Sequence, residues 1–295
     1  MKTEASILRR AALAALLGLA GLAACPAQAQ GSPAPSPYTA RAATDWKARV
    51  LRVEVDLDLA AAGIRMPEGR LDAERRIERD LASLAKDAVF ALQADSHRTI
   101  EAAVADGSLD AERLVALADL ARVERSSFSK DMRKFSATYV LSLDALASLF
   151  LSGAEPSPIR APLERRPTRD YTGIVIYAKG PLKVHGEGVE GRAAPCLFPR
   201  IYDGEMRLLL DRSVVAPEVL SRSGGSGGVL GYAAALGVEA GDRVGGDPMR
   251  VMAVELFGDD RCDFVISRED ALRILSSPAD RELLRQGKVV VVLDL

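Results

Sequence analysis

The sequence has 295 residues, of which 48% are hydrophobic and 27% are charged, and its formal net charge is −2 at neutral pH. A chain of this length can bury a substantial core and is expected to form about two domains. The small net charge gives no electrostatic attraction to nucleic acid, so we expect no nucleic-acid partner, and no cofactor is indicated.

Residues 1–29 have the features of a secretory signal. Lys2, Arg9 and Arg10 precede an uncharged apolar run over residues 11–24. That run is shorter than the roughly 20 residues that a helix needs to span a bilayer. We therefore predict a signal peptide at 1–29 and no membrane-spanning segment in the mature chain. Its removal takes away three of 39 basic and one of 41 acidic residues, which leaves a net charge of −4.

Two cleavage positions are open within GLAACPAQAQG, residues 21–31. Residues 22–25 form a lipoprotein box, which predicts lipidation of Cys25, whereas Ala27-Gln28-Ala29 fits an ordinary signal-peptidase site with cleavage after residue 29. Pro26 is unfavourable for lipoprotein processing, while the spacer that follows favours an anchor. Either cut exports the protein, and we favour the lipid-anchored form, in the periplasm or outer membrane, over the soluble one.

Both cuts remove Cys25 from disulfide chemistry and leave Cys196 and Cys262 as the remaining thiols. An exported protein with two cysteines can join them in a disulfide, which stabilises the fold by about 2–4 kcal/mol. Two independently buried thiols are an equally common arrangement. A metal site is not predicted, because neither cysteine has a C-x-x-C partner.

The first half is predicted to be an α+β domain over residues 46–153, after a Pro/Ser/Ala spacer at 30–45 that contains GSPAPSP. Apolar and charged residues alternate over residues 51–59, which predicts a strand with one face in solvent. Residues 73–92 have apolar side chains at helical spacing and predict a helix on that sheet. We also predict helices over 99–105 and 109–122, a strand over 135–143, and a short helix capped by Asp144 that ends at Gly153.

Residues 154–170 contain four prolines among charged residues and predict a linker to a second α+β domain at 171–295. This domain is predicted to begin with a strand in YTGIVIYAKG, followed by a glycine-rich loop over 180–191. Hairpins are predicted about Asp203-Gly204 and residues 258–260, and helices starting at Ser267 and Ser277. The chain ends in a predicted strand, KVVVVLDL, that is covered on both faces. Strands followed by helices in both halves predict an α+β protein with two small domains, each a mainly antiparallel sheet with packed helices.

The strongest catalytic candidate is GGSGG at residues 224–228, which fits the G-x-S-x-G pattern of a nucleophile elbow with Ser226 as nucleophile. Such an elbow follows an apolar strand directly, and hydrolases of that kind have a histidine later in the chain. Here LSRS precedes the motif, and His97 and His185 both come before it. A flexible glycine and serine loop is therefore the favoured interpretation.

Three aspartates, Asp259, Asp260 and Asp263, could approach a calcium ion, but the ligand spacing of an EF-hand loop is absent. Turn chemistry is the simpler account of the first two. His97 follows Asp95 and Ser96 at a predicted helix start, where capping is expected, and His185 lies in a polar loop.

The second half contains, in order, YTG at 171–173, AKG at 178–180, LFPRIYDGE at 197–205, GY at 231–232, RVGGDP at 243–248 and DFVIS at 263–267. In this order the motifs resemble the C-terminal region of the FlgP-like bacterial cell-envelope lipoproteins of flagellated bacteria. The resemblance covers residues 171–295, and the helix-rich first half is similar to the family's N-terminal region. Two features depart from the family: Tyr177 stands where an aspartate is expected, and the glycine-rich insertion before Cys196 is longer.

The resemblance implies a small α+β domain in a periplasmic or outer-membrane protein that assembles around the flagellum without catalytic activity. We therefore expect a non-enzymatic exported envelope protein with a structural or assembly role in flagellar motility. Its expected partners are copies of itself or other envelope and flagellar proteins, and the membrane if Cys25 is lipidated. Two alternatives remain: a periplasmic serine hydrolase that uses Ser226, and a periplasmic small-ligand-binding protein with two domains joined at a proline-rich linker.

Overall fold

A computed structural model describes residues 36–110, 112–114, 121–150, 156–222 and 227–295. The predicted signal peptide with Cys25, the spacer up to residue 35, and Ser226 lie outside the described residues. Residues 37–295 form one compact unit.

The first half contains a four-stranded antiparallel sheet in the order β1-β2-β6-β5, with a helix on one face. In chain order its elements include β1 (Tyr38–Asp45), β2 (Val50–Asp58), α1 (Arg70–Phe90), β3 (Gln93–Asp95), β4 (Arg98–Thr99), α2 (Ile100–Ala105), β5 (Arg122–Phe128), β6 (Lys134–Ser142) and α3 (Leu143–Ser148). The two short strands β3 and β4 form a separate hairpin.

The alternation in β2 has the consequence that the sequence predicts. The side chains of Leu51, Val53, Val55, Leu57 and Leu59 are at most 2% exposed, while the residues between them are less covered. Helix α1 covers this face with the row of buried residues Ala73, Ile77, Leu81, Ala85 and Val89. Burial of this apolar surface is the main contribution to the stability of the first half.

The structure corrects three predictions for the first half. Residues 38–45, which the sequence places in the spacer, form β1, because their backbone pairs over eight residues with β2. Residues 122–128 form strand β5, although a helix is predicted as far as residue 122; residues 115–120 of that predicted helix lie outside the described part. Helix α3 is capped by Ser142, whose hydroxyl accepts from the N–H of Ala145 at 3.3 Å, and not by Asp144.

The second half contains a nine-stranded sheet in the order β11-β10-β14-β13-β7-β15-β12, with β8 beside β13 and β9 beside β8. Its elements include β7 (Ile174–Tyr177), β8 (Pro181–Val184), β9 (Glu190–Arg192), β10 (Ile201–Tyr202), β11 (Leu208–Leu210), α4 (Pro217–Leu220), β12 (Gly231–Ala233), α5 (Val238–Val244), β13 (Met249–Phe257), β14 (Asp263–Ile266), α6 (Arg268–Ser276), α7 (Pro278–Arg285) and β15 (Val289–Val292). All four residues of β15 are buried, as the apolar run predicts.

Two predicted helix starts in the second half are confirmed. The hydroxyl of Ser267 accepts from the N–H of Asp270 at 3.0 Å and caps α6. Ser277 accepts from the N–H groups of Ala279 and Asp280 and caps α7, whose first residue is Pro278. These side-chain acceptors satisfy amide groups that have no partner within the helix.

The fold class is α+β with two small domains, as predicted. The second sheet is, however, mixed: among the described strands, five pairings are parallel and three are antiparallel. The prediction of a mainly antiparallel sheet is therefore wrong for this half. The sheet is mixed mainly because of β7, which lies between β13 and β15, two strands from later in the chain, and pairs in parallel with both. Among the described helices, none has the length and apolar composition needed to cross a membrane.

Candidate functional site

The two predicted disulfide residues lie side by side in the core of the second half. Cys196 and Cys262 are fully buried, approach each other to 3.2 Å, and are both free thiols. Burial, and after it the contact with Cys262, raises the pKa of the Cys196 thiol. A protonated, enclosed thiol is a poor nucleophile, so Cys196 is not suited to catalysis in this state. The predicted disulfide stays a prediction.

Tyr232 holds the backbone beside this cysteine pair. Its hydroxyl accepts from the N–H of Cys196 and donates to the carbonyl oxygen of the same residue, each at 3.1 Å. Burial, and after it the charge that the Cys196 thiolate would carry, raises the pKa of the phenol well above its ordinary value. The ring edge of Tyr232 also meets Trp46 of the first half, with ring centroids 6.1 Å apart. The tyrosine therefore connects the cysteine pair to the contact between the two halves.

The hairpin formed by β3 and β4 is inserted against the second half. The N–H of Leu197 donates to the carbonyl of Gln93 at 3.0 Å, and that of Phe198 donates to the carbonyl of Ala94 at 2.9 Å. The ring of Phe198 further packs edge-on against Phe150, with centroids 5.2 Å apart. Backbone bonds of this kind fix the position of the hairpin along the partner segment.

Ser96, at the tip of this hairpin, makes the most buried polar contact between the halves. Its hydroxyl donates to Asp263 Oδ2 at 2.7 Å, and both residues are fully buried. The other carboxylate oxygen of Asp263 accepts from the N–H of Arg200 at 2.8 Å. Burial raises the pKa of Asp263, and the bond from Ser96 lowers it by less. Gly258 leaves room for the tip, because a Cβ there would lie 2.3 Å from Ser96 Cβ.

Other side chains of the hairpin reach the loop between β13 and β14. His97 Nδ1 lies 3.1 Å from Asp259 Oδ2, and Gln93 donates to Asp260 Oδ2 at 2.5 Å. Asp259, Asp260 and Asp263, which the sequence offers as calcium ligands, therefore each contact a different residue of the hairpin. No group of three metal-ligating side chains occurs in the part of the chain that the structure describes.

A buried ion pair within the first half lies against the second half. Arg49, in the turn between β1 and β2, donates through Nε to Asp144 Oδ1, and both side chains are 1% exposed. Arg49 has a positive φ of 54°. Its guanidinium lies against Gly228, where a Cβ would come within 2.4 Å of Nη2. Within the described residues Arg49 Nη2 and Asp144 Oδ2 have no hydrogen-bond partner, so the pair is electrostatically matched but incompletely hydrogen-bonded.

Arg243 lies on the other side of the same glycines. Its Nε donates to the carbonyl of Gly287 at 2.7 Å, Nη1 to that of Gly227 at 2.9 Å, and Nη2 to that of Gly228 at 3.0 Å. Burial, and after it the positive charge of Arg49, lowers the pKa of Arg243 to about 9. One carboxylate, that of Asp144, therefore lies near the buried guanidinium of Arg49 and the half-buried Arg243, and three backbone carbonyls accept hydrogen bonds from Arg243.

A cavity of about 500 Å³ lies between the interdomain linker and the second half. Leu208 and Leu209 of β11 and Leu272 of α6 are among its apolar lining residues, and Arg207, Glu164 and Arg268 are among the charged ones. The linker is fixed on both sides of the cavity, since Ser157 N–H donates to the carbonyl of Ser213 at 2.6 Å and Arg268 donates to Glu164 at 2.7 Å.

The second histidine is also engaged in a surface contact. His185 follows β8, and its Nδ1 lies 2.6 Å from Glu255 Oε2 of β13. Its ring and that of His97 both lie 6.2 Å from Phe257, from different elements. The two histidines are about 36% and 44% exposed. Neither has a nucleophilic hydroxyl or thiol among its hydrogen-bond partners in the described residues.

Four groups whose pKa burial shifts, Cys196, Tyr232, Arg243 and Asp263, therefore lie in contacts between or within the halves, whereas Arg207, whose pKa is raised by its bond to Asp203, lines the cavity. From the sequence, Ser96 and His97 are expected to cap a helix start, Asp144 is expected to cap a second helix, and residues 227–228 are expected in a flexible loop. The signal for Asp144 was its position in an apolar segment, where a charged residue needs a partner. That partner, Arg49, is 95 residues away and cannot be identified from spacing.

Comparison with known protein families gives two matches in chain order. Residues 37–149 match the family model of the N-terminal domain of Treponema pallidum Tp0624, and residues 173–295 match that of the second domain of the same protein. The segment between the matches corresponds to the predicted linker. Comparison with curated protein sequences finds no match. Neither family description names an activity, and neither tests the resemblance to the FlgP-like lipoproteins.

Proposed function

We propose that this chain, which matches the first two domains of Tp0624 in order, is a non-enzymatic exported protein of the cell envelope with a structural or assembly role. Flagellar motility is the process in which we place that role, on the resemblance of residues 171–295 to the FlgP-like lipoproteins. The N-terminal segment supports export, and the lipoprotein box at 22–25 supports an anchor on Cys25.

The observation that carries the proposal is the position of the buried polar groups among the described residues. The Ser96–Asp263 bond and the Arg49–Asp144 pair both stand where the two halves meet. Enzymes place perturbed titratable groups in clefts open to substrate. Here these groups are covered on all sides by protein, which favours a rigid assembly unit over a catalyst.

Deletion of the gene tests the cellular role. We expect reduced swimming and a loss of density around the flagellar motor in cryo-electron tomograms, both restored by the wild-type gene. Unchanged motility together with unchanged motor density would remove the flagellar part of the proposal. The mass of the mature N-terminus tests the anchor: a diacyl or triacyl group on Cys25 supports it, whereas a chain that starts at Gln30 contradicts it.

Catalysis is tested separately. A serine-reactive fluorophosphonate should leave the purified protein unlabelled, and a matched Ser226→Ala variant provides the control. Labelling that Ser226→Ala abolishes would contradict the non-enzymatic role and favour the serine hydrolase.

The cavity favours a second candidate function, the binding of a small ligand in the periplasm. Its volume of about 500 Å³ suits a compact organic molecule with an apolar body. A thermal-shift screen tests this candidate, because a ligand that binds the folded state raises Tm. Leu208→Lys should abolish such a shift, while Val189→Lys, at a residue with the same 47% exposure away from the cavity, should leave it unchanged. A screen without any stabilising ligand would count against this function.

A further inference from the structure

Strand β1 is an edge strand that is paired on one side among the described residues. All eight of its residues, Tyr38–Asp45, pair with β2 in one unbroken antiparallel register. No other described strand pairs with its outer edge. A long, regular edge presents a row of backbone donors and acceptors to which another strand can add.

The hydrogen-bond pattern shows which residues form that row. The N–H of Asp58 donates to the carbonyl of Pro37 at 2.9 Å, which makes residues 37 and 58 a hydrogen-bonded pair. Such pairs alternate along an antiparallel ladder. The N–H and C=O groups of Ala40, Ala42 and Thr44 are therefore directed away from β2, towards the open edge.

The opposite edge of the same sheet differs from β1. In β5 the register shifts between Val123 and Arg125, so this strand is bulged. Charged residues Arg122, Glu124 and Arg125 cluster at the bulge. Bulges and charges are the features that protect an edge from further pairing. Strand β1 has no bulge, and Arg41 is the one charged residue before its last position.

The middle of the β1 face that continues the core is also exposed. Ala40 lies opposite Val55 and Ala42 lies opposite Val53 in the register. Both valines are fully buried under α1, whereas both alanines are exposed. The apolar face of the sheet therefore continues, at Ala40 and Ala42, beyond the part that α1 covers, and a neighbouring strand with its own helix would extend it.

We propose that β1 is a self-association surface, on which β1 of a second copy pairs in the antiparallel direction about a two-fold axis at Ala42. This inference rests on the proposed assembly role and names one of its partners. The two four-stranded sheets become one eight-stranded sheet. Such an interface is isologous and closed, since each copy presents the same strand.

Two considerations select this register. With the axis at Ala42, the outward groups of Ala40 face Thr44 of the second copy and those of Ala42 face one another, which gives about six backbone hydrogen bonds. A shift of the axis to Arg41 would place the two Arg41 side chains directly opposite. Like charges in that position are unfavourable. With the axis at Ala42, Arg41 lies opposite Ala43, and its diagonal neighbours on the second copy are Asp45 and Arg41, so no like charges stand directly opposite one another.

Two substitutions at one position test the proposal. Ala42→Pro removes an outward N–H without touching the ladder to β2, whereas Ala42→Val keeps the N–H and favours a strand. Sedimentation equilibrium of the full chain should show a concentration-dependent dimer for the wild type and for Ala42→Val. Ala42→Pro should weaken the dimer at least about tenfold in Kd, because both central hydrogen bonds are lost. Circular dichroism establishes that the variants are folded.

Hydrogen exchange of the unmodified protein provides a second test that needs no variant. The amides of Ala40, Ala42 and Thr44 should gain protection as the protein concentration rises, while those of β5 should not. A monomer at every concentration would overturn the proposal. Protection that is independent of concentration, and that is lost when residues 1–35 are removed, would show that the chain's own N-terminal segment covers the edge, and would also overturn it.

The failure of this inference can be distinguished from failure of the proposed function. If the protein is monomeric but gene deletion still removes motor density, the assembly role stands and another surface performs it. If Ala42→Pro abolishes the dimer but gene deletion leaves motility and motors unchanged, the self-association surface stands without a flagellar role.

Discussion

Replacement of Asp144 by asparagine removes the carboxylate of the buried ion pair while it retains the volume of the side chain. Arg49 then keeps a positive charge at a side chain that is 1% exposed, with no carboxylate in contact. Arg243 lies on the far side of the same glycines and already has a lowered pKa, for which burial and the charge of Arg49 are the first two causes. Loss of Asp144 therefore leaves the buried guanidinium of Arg49 without a counter-charge and removes the nearby carboxylate from Arg243.

The expected loss is large because a buried charge is left uncompensated. Removing one partner of a buried pair costs about 3–5 kcal/mol of unfolding free energy. Glu74→Gln is the matched control, since it removes a carboxylate from an exposed pair with Arg70 and should cost less than about 1 kcal/mol. The double variant Arg49→Met/Asp144→Leu should recover much of the loss, because an apolar pair of similar size leaves no charge unpaired.

Urea unfolding measures these differences at two places in the molecule. Circular dichroism follows both sheets, and the fluorescence of Trp46, the one tryptophan of the chain, follows the contact with Tyr232. Asp144→Asn should shift the tryptophan transition at least as far as the dichroism transition. A loss no greater than that of Glu74→Gln would refute the reasoning that Asp144→Asn leaves a buried charge uncompensated.

Three further predictions concern the other contact and the cysteines. Burial raises the pKa of Asp263, so the proton on this carboxyl group favours the folded state. The free energy of unfolding should therefore fall as pH rises from the ordinary carboxyl range through the raised pKa. Asp263→Asn should flatten this part of the pH profile in urea unfolding, and an unaltered profile would contradict the reasoning. Refolding in a glutathione redox mixture should join Cys196 to Cys262 and stabilise the protein by about 4 kcal/mol over its reduced form, because the bond closes a loop of 66 residues. Mass spectrometry that finds two free thiols after this treatment would exclude the bond. Gly258→Ala should destabilise the protein more than Gly188→Ala, since both positions have positive φ but only the Cβ at Gly258 meets another side chain. Equal losses of Tm would show that the hairpin tip does not pack closely against Gly258.

Periodicity predicted the elements that bury one apolar face. The alternation in β2, the helical stripe of α1 and the capping serines Ser267 and Ser277 each depend on residues close in sequence, so the pattern contains the necessary information. Strand β1 was missed because its side chains are small and mostly exposed on both faces. A strand that is stabilised mainly by backbone pairing with its neighbour has no alternation of apolar and polar residues that a sequence pattern could detect.

Long-range pairing explains what the sequence left undetermined. The direction of the strands beside β7 depends on residues from the end of the chain, and the hydrophobic runs of parallel and antiparallel strands that are buried on both faces are alike. The Arg49–Asp144 pair within the first half and the Ser96–Asp263 bond between the halves join positions 95 and 167 residues apart. Capping was a sufficient local explanation for Ser96 and Asp144, and only the tertiary structure supplies the competing partner.

The ion pair and the proposed self-association surface share one hairpin, which leads to a last prediction. Arg49 lies in the turn that connects β1 to β2, and its carbonyl accepts from the N–H of Leu143 at 3.0 Å. If Arg49 loses its counter-charge, the turn is drawn towards solvent, and the end of β1 near Asp45 loses its fixed position.

Asp144→Asn should therefore weaken the dimer as well as the fold, under conditions where dichroism shows the variant fully folded. Glu74→Gln, on helix α1, should leave the dimer unchanged. Sedimentation equilibrium of both variants decides the matter. If folded Asp144→Asn dimerises like the wild type, the turn holds β1 in place without the ion pair, and the edge and the joint are independent features.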